Sequence, residues 1–294
     1  MRHVYRCPMR WADLDLLGHV NNVVYVDYLQ EARVDMLRSQ VTGSRAGGLA
    51  TGLVVVRHEV DYLAPLSFDY GTVDIEVWAT RVRAASFTLA YEMFHERDGE
   101  RRIYARASTV LTPFVFATES PRRLSEDERA SLAPYLEADR PEHHPTPARV
   151  AQTEQGHYPV HVRFSDVDAY GHVNNVKYVE YFQEGRLVLT SRLGEGIDVD
   201  LSVSGMVAAR TEVDYRVPLT FRERPYDLWS QVSHVGRTSM RIDAEICDGD
   251  VVCARSSVVL VFWDPATGRP QEPRPEIRAR AVAAMAAAGI TPAG

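Results

Sequence analysis

The sequence contains the same pattern twice, and this duplication restricts the fold more than any other feature. Residues 10–33 read RWADLDLLGHVNNVVYVDYLQEAR, and residues 163–186 read RFSDVDAYGHVNNVKYVEYFQEGR. At the constant offset of 153, 15 of the 24 positions are identical, whereas unrelated segments would share about one or two. We therefore expect two copies of one folding unit.

The repeat extends beyond these segments and divides the chain into domains. A second motif recurs at the same offset, with Glu59, Asp61, Tyr62, Pro65 and Leu66 matching Glu212, Asp214, Tyr215, Pro218 and Leu219. The length of 294 residues suits two domains of ordinary size. We expect an N-terminal domain at 1–140, a proline-containing linker at 141–156 and a C-terminal domain at 157–294.

Each half has the same predicted order of elements. A short strand leads through an Asp-, Gly- and Asn-rich turn to a helix, where apolar residues recur at helical spacing. Four more strands follow, with hairpin signals at Asp98-Gly99 and Asp248-Gly249. The predicted first strands and helices are 4–11, 22–38, 158–165 and 175–192. The later strands are 51–64, 72–83, 85–97 and 101–115, then 203–217, 225–235, 237–247 and 251–263. Ser125 to Glu128 resembles a capping box that starts a helix to about 137. One helix and an antiparallel sheet in each half predict the α+β class.

Composition excludes several partners. The formal net charge is −7 and no long basic run is present, which disfavours nucleic acid or an anionic membrane surface. No stretch approaches 18 uninterrupted apolar residues, so no membrane span is expected. The three cysteines, Cys7, Cys247 and Cys253, form no regular pairing pattern and are typical of a reducing compartment. We expect a cytoplasmic protein.

The motif from Asp13 to Arg33, DxDxxGHVNNxxYxxYxxExxR with one residue of latitude, resembles a known family. It is similar to the 4-hydroxybenzoyl-CoA thioesterase group of the hotdog superfamily, particularly to bacterial long-chain acyl-CoA thioesterases. The run HVNNVKY at 172–178 is also similar to plant acyl-ACP thioesterases, which are tandem hotdogs. The resemblance implies two fused hotdog domains, each a long helix wrapped by an antiparallel β-sheet. It also implies an intramolecular pseudo-dimer, which could associate further into a homo-oligomer.

The resemblance assigns the reaction centre to the turn before each helix. The catalytic carboxylate would be Asp15 and Asp168, and the amide that polarises the thioester carbonyl would be that of Asn22 and Asn175. Plant enzymes carry an Asn two residues after the Asp, where this chain has Leu17 and Tyr170. They also carry a Glu where it has Pro65 and Pro218. The simpler bacterial mechanism is therefore favoured.

Chemistry supports this assignment independently of the family. Thioester hydrolysis needs a base or nucleophile and donors for the oxyanion. A helix start offers unpaired amides and the positive end of a dipole. The alternative is that Asp15 and Asp168 only cap their turns. Their presence in both diverged halves favours catalysis.

The other motif residues have less specific roles. Asp13 and Asp166 are expected to be structural, and core positions are expected for Tyr28 and Tyr181. The turn residues Gly18, Gly171, His19 and His172 are assigned to substrate binding, although the histidines could instead bond the backbone. Supporting roles at the site, or ion pairs between helix and strand, are open for Glu31, Glu184, Arg57 and Arg210. A metal site is not expected, because Asp13, Asp15 and His19 lack a second histidine.

These observations predict an acyl-CoA thioesterase of fatty acid metabolism. Acyl-CoA and water would give the free acid and coenzyme A, which is part of the substrate, so no separate cofactor is implied. Two alternatives remain open. One is an acyl-ACP thioesterase, and the other is a non-catalytic hotdog protein that binds acyl-CoA or regulates.

Overall fold

The structure is a computed structural model that describes residues 1–39, 49, 52–69, 71–137, 149–197, 205–264 and 266–291. Contacts divide the chain into two compact units, Met1–His144 and Pro145–Gly294. The linker residues 141–148 and the predicted strand starts at 51 and 203 lie outside the described residues. The described part of the predicted linker, 149–156, packs on the second unit, where the Nε of Arg149 donates to Glu245 and Val150 is buried.

The first unit is a long helix against an antiparallel sheet. Its strand order is β1-β3-β4-β5-β2, and all neighbours are antiparallel. The elements are β1 (His3–Pro8), α1 (Asn22–Ser39), β2 (Leu53–Tyr62), β3 (Thr72–Val82), β4 (Phe87–Arg97), β5 (Glu100–Val115), β6 (Ser120–Pro121) and α2 (Glu126–Leu132).

The second unit repeats this arrangement. Its strand order is β8-β11-β10-β9-β7, again antiparallel throughout. The elements are β7 (His157–Val160), α3 (Asn175–Gly194), β8 (Met206–Tyr215), β9 (Tyr226–Val235), β10 (Ser239–Asp248), β11 (Val251–Asp264), β12 (Arg269–Pro270) and α4 (Pro275–Ala287). The α+β class is confirmed in both units.

Local sequence signals account for most element boundaries. Asp98 and Gly99 form the tip of the β4–β5 hairpin with φ of 53° and 80°, the left-handed conformation that a two-residue hairpin turn requires. Ser125 caps α2 by accepting from the N–H of Glu128, whose carboxylate accepts in return from the N–H of Ser125. The predicted helix to 137 instead ends at Leu132 and continues as a 3₁₀ turn, because Pro134 cannot continue the α-helical bonding.

The first strands are shorter than predicted. β1 ends at Pro8 rather than at 11, and β7 ends at Val160 rather than at 165. In the first unit the carboxylate of Asp13 accepts from the N–H of Arg10 at 2.8 Å. This bond closes a 3₁₀ turn at Trp11–Asp13, so the chain leaves the extended conformation before residue 11.

The long helices approach their sheets closely, as their small residues predict. Ala32 is fully buried on α1, and Gly185 is buried on α3. A Cβ placed on Gly185 would lie 2.4 Å from Cδ2 of Leu228, which is itself fully buried on β9. The second unit therefore has no room even for alanine at this contact unless Leu228 moves.

Candidate functional site

Both units fold the turn before the long helix in the same way. The N–H of Asp15 donates to the carbonyl of His19 at 2.8 Å, and the N–H of Gly18 donates to the carbonyl of Asp15 at 3.1 Å. Gly18 has φ of 74°, which a side chain would strain. The second unit repeats these contacts with Asp168, Gly171 and His172. The repeated glycine is thus required by the backbone of the turn.

The carboxylate of the candidate catalytic Asp is held by one of its oxygens. In Asp15, Oδ1 accepts from the N–H of Leu17 at 2.9 Å and from that of His19 at 3.2 Å. In Asp168, Oδ1 accepts from the N–H of Tyr170 at 2.9 Å. The Oδ2 of each carboxylate has no hydrogen-bond partner within the described parts of the chain. One carboxylate oxygen therefore caps the turn, as the alternative interpretation expects. The other oxygen is not used by the turn and could act on a reactant.

The helix start supplies the donors. Asn21, rather than Asn22, is the cap of α1, because its Oδ1 accepts from the N–H of Val23 at 3.0 Å. Asn174 caps α3 in the same way. Asn22 is the first helical residue, and among the described residues its backbone N–H has no partner. Its Nδ2 is enclosed and, among the described residues, also has no partner. An unpaired backbone N–H at a helix start is a donor of the kind that a developing oxyanion needs.

Residues of the second repeated motif hold the helix start in place. The hydroxyl of Tyr62 donates to the carbonyl of Asn22 at 3.0 Å. The ring of Tyr62 meets Tyr25 edge-on with centroids 5.2 Å apart, and the hydroxyl of Tyr25 accepts from the N–H of Leu66 at 3.1 Å. The second unit has the same contacts through Tyr215, Asn175, Tyr178 and Leu219. The sequence shows that these residues are repeated but does not reveal what they bond. Their recurrence at a constant offset is the signal that they have a structural role.

Asp13 and Asp166 are structural, as expected. Oδ2 of Asp13 accepts from the hydroxyl of Tyr28 at 2.5 Å, and Oδ2 of Asp166 accepts from that of Tyr181 at 2.7 Å. Both tyrosines are buried. Burial and then the bonded carboxylate raise the pKa of each tyrosine well above its usual value. These pairs join the turn to the long helix and leave the tyrosine hydroxyls protonated.

The remaining predicted residues are divided between the site and its surroundings. The backbone of His19 completes the turn, while its ring makes no hydrogen bond within the described residues. Nε of Arg57 donates to Glu59 at 2.5 Å, and the second unit repeats this pair as Arg210 and Glu212. Glu31 is exposed on α1, and Glu184 accepts a short hydrogen bond from the hydroxyl of Tyr158. Among the described residues, the open alternative of an ion pair between helix and strand is not realised, because neither Glu31 nor Glu184 pairs with Arg57 or Arg210.

The cysteine thiols are not reactive groups in this protein. Burial, the largest cause, raises the pKa of Cys7 to about 12 and that of Cys247 to about 11. These thiols are therefore protonated and unreactive at neutral pH. Across the described ranges, no group of three or more metal-ligating side chains comes together. No helix in those ranges is long and apolar enough to cross a membrane.

Comparisons with known proteins agree with this architecture. The model of the family described as the thioesterase-like superfamily matches residues 9–135 and again 162–281. The structure of a 12:0-ACP thioesterase from Umbellularia californica is similar with a TM-score of 0.68 and 17% identity, covering 92% of this chain and 97% of that one. An acyl-ACP thioesterase from Bacteroides thetaiotaomicron gives 0.61 and 18%, covering 88% and 97%.

A third structure, from Lactobacillus plantarum and designated by inference an oleoyl thioesterase, gives a TM-score of 0.71 and 15% identity. It covers 89% of this chain and 96% of that one. A comparison with curated protein sequences finds no match. At identities this low, the structural similarity establishes the fold alone. The repeated family match assigns that fold to each half. Two fused hotdog domains, predicted from the repeat and its motif, are thereby confirmed.

Proposed function

The chain belongs to the thioesterase-like superfamily, and we propose that the thioester it hydrolyses is an acyl-coenzyme A, with Asp15 and Asp168 as the catalytic carboxylates. The supporting observation is the pairing of two features in one turn. One carboxylate oxygen of Asp15 is fixed by backbone amides while the other has no partner in the described chain. The helix that begins seven residues later offers, at Asn22, a backbone N–H that has no partner in the described chain.

The reaction follows from these groups. The thioester carbonyl oxygen would accept from the N–H of Asn22, which makes its carbon more electrophilic. Oδ2 of Asp15 would then take a proton from water as the water oxygen attacks that carbon, or would itself attack the carbon to form an anhydride that water cleaves. In either route the C–S bond breaks, and the thiolate takes up a proton as coenzyme A leaves. Asp168 would perform the same steps in the second unit, where Asn175 is the first residue of α3.

The two turns differ at the residue that follows the Asp by two positions. Leu17 is 40% exposed and Tyr170 is 42% exposed, so side chains of different size stand beside the two carboxylates. We infer that the two sites accept acyl groups unequally. Replacing one carboxylate at a time would then change the activity by different amounts.

An acyl-carrier-protein substrate is the second candidate, because two of the similar structures are named as acyl-ACP thioesterases. The net charge of −7 opposes it, since carrier proteins are acidic and like charges slow association. Coenzyme A requires only a few local cations. The comparison of acyl-CoA with acyl-ACP at equal chain length decides between them.

The test measures thiol release from acyl-CoA and acyl-ACP of several chain lengths. We expect Asp15→Asn combined with Asp168→Asn to lower kcat by about a hundredfold or more. The matched control is Asp98→Asn, at an exposed hairpin tip where Asn adopts the same backbone. Unchanged hydrolysis in the double variant would contradict the catalytic assignment. Tight binding without thiol release in the unmodified protein would favour the non-catalytic alternative.

A further inference from the structure

An arginine of the repeated motif is buried in the first unit, and no described residue supplies it with a counter-charge. Arg33 stands on α1 and is 6% exposed. Within the described residues its guanidinium makes no ion pair, and its Nη1 is enclosed without a hydrogen-bond partner. An unpaired buried charge is strongly unfavourable. A binding partner for this group would remove that cost.

The neighbours of Arg33 are polar, and one of them is also unsatisfied. Tyr91 on β4 is 1% exposed, and its hydroxyl has no well-formed hydrogen bond to any described residue. Burial raises its pKa, and the charge of Arg33 together with weak hydrogen bonds from Thr109 and Arg33 opposes that rise. Thr109 on β5 is fully buried and shares a 2.9 Å hydrogen bond with Nδ1 of His58 on β2. Three adjacent strands and the helix therefore bring four polar side chains together.

Charge and shape define what this cluster can bind. Burial, followed by the charge of Arg33, lowers the pKa of His58 to about 3, so His58 is neutral and Arg33 supplies a single positive charge. The planar guanidinium fork matches a carboxylate, and the Tyr91 hydroxyl can donate a further bond. A phosphate dianion would leave an excess negative charge in a buried place. Leu89, fully buried opposite Thr109 in the sheet, suits an apolar group attached to the carboxylate.

We propose that Arg33 and Tyr91 form an internal carboxylate-binding site in the first unit, selective for a carboxylate on an apolar chain. The site goes beyond the hydrolytic centre, because Arg33 lies eleven residues along α1 from Asn22, or about 16 Å. Its ligand is either a free alkanoate or the far carboxylate of a dicarboxylic acyl group. Both present the same chemistry.

The second unit lacks this site. Arg186, the counterpart of Arg33, is only half-buried and donates to Oε1 of Gln183. The strand registers place Thr211, Ala244 and Val258 where the first unit has His58, Tyr91 and Thr109. The tyrosine donor is therefore missing, and the arginine already has a partner. The proposal requires a single carboxylate site in each chain.

Calorimetry on the full chain with decanoate and 1-decanol tests the site without any turnover. We expect one decanoate per chain, bound at least about tenfold more tightly than decanol. Arg33→Met should remove that preference, Tyr91→Phe should weaken it, and the matched control Arg186→Met should leave it intact. Arg33→Met should also keep or raise the Tm, because it removes an unpaired charge. If it does not fold, Tyr91→Phe alone decides.

Equal affinity for acid and alcohol, or full decanoate binding by Arg33→Met or by a folded Tyr91→Phe, would overturn the proposal. A second arm separates the two sources of the carboxylate. It compares thioesters of decanoic acid and of the dicarboxylic acid of equal length as substrates of the unmodified protein and of Arg33→Met. A selective loss of the dicarboxylic substrate would identify the acyl terminus as the ligand. Loss of decanoate binding alone would identify a free alkanoate, and this outcome does not depend on the hydrolase assignment.

Discussion

His58 provides a quantitative test of how the interior of the first unit is built. The ring is 1% exposed, and burial, followed by the charge of Arg33, lowers its pKa from 6.5 to about 3. The unfolded chain takes up a proton as the pH falls through 6.5, whereas the folded chain does not until the pH is near 3. Folding stability is therefore lost progressively between these two values as the solution is acidified.

The magnitude follows from how far the solution pH lies below the pKa of the unfolded chain, as long as it stays above the pKa of the folded chain. At about pH 4.5, the solution is two pH units below the unfolded pKa, and each unit corresponds to about 1.36 kcal/mol. The buried neutral ring thus lowers the free energy of unfolding by roughly 2.7 kcal/mol relative to about pH 7.5. His58→Gln removes the titration and keeps a polar group that can bond Thr109.

Urea unfolding of the full chain and of His58→Gln, followed by tryptophan fluorescence, measures this effect. The difference in the free energy of unfolding between the two proteins cancels the titrations that they share. We expect this difference to shift by roughly 2.7 kcal/mol in favour of the variant between about pH 7.5 and 4.5. A difference that stays constant over this range would mean that His58 is protonated in the folded protein, which would refute the description of its environment.

Three further changes test particular contacts. Gly156→Ala should destabilise the second unit by about 3 kcal/mol or more, because its Cβ would lie 1.9 Å from the backbone oxygen of Ser230; a urea midpoint equal to that of the unmodified chain would contradict this contact. Glu245→Gln should cost about 3 kcal/mol in the same assay, because Glu245 is 1% exposed and pairs with Arg255 at 2.7 Å; a loss below about 1 kcal/mol would show that this pair is solvated. Gly18→Ala should lower the free energy of unfolding by about 1–2 kcal/mol, which is the strain of a side chain at a φ of 74°. Expressed as a free energy, its loss of kcat should be larger, since this φ is needed to place Asp15. Unchanged kcat would separate the turn from the reaction.

The candidate catalytic turn could be predicted because its bonds are local. The carboxylate of Asp15 meets amides two and four residues ahead, and Gly18 provides the left-handed backbone between them. A short stretch of sequence therefore contains all the partners of the turn. Both Asn21 and Asn22 have a side chain that can accept the capping bond, so the sequence does not decide between them. The geometry assigns the cap to Asn21, and among the described residues it leaves the N–H of Asn22 unpaired.

The ion pairs show where such reasoning fails. Arg57 has a potential acidic partner on the helix and another two residues away on its own strand, and sequence spacing cannot rank them. In the folded unit Arg57 bonds Glu59, since residues two apart on a strand lie on the same face. The role of Tyr62 was missed for a related reason, because its hydrogen bond to Asn22 spans 40 residues.

The sequence alone determined the duplicated α+β architecture, the hairpins, the helix starts and the turn that carries Asp15 and Asp168. These features depend on periodicity and on contacts within a few residues, and the sequence contains both of these signals twice, once in each repeat. The tertiary structure alone decided that Arg33 is enclosed beside Tyr91, His58 and Thr109, with no counter-ion among the described residues. That environment requires a helix and three strands that are distant in the chain to meet. The equivalent Arg186 shows that the same residue of the motif has different surroundings when the residues of the facing strands differ.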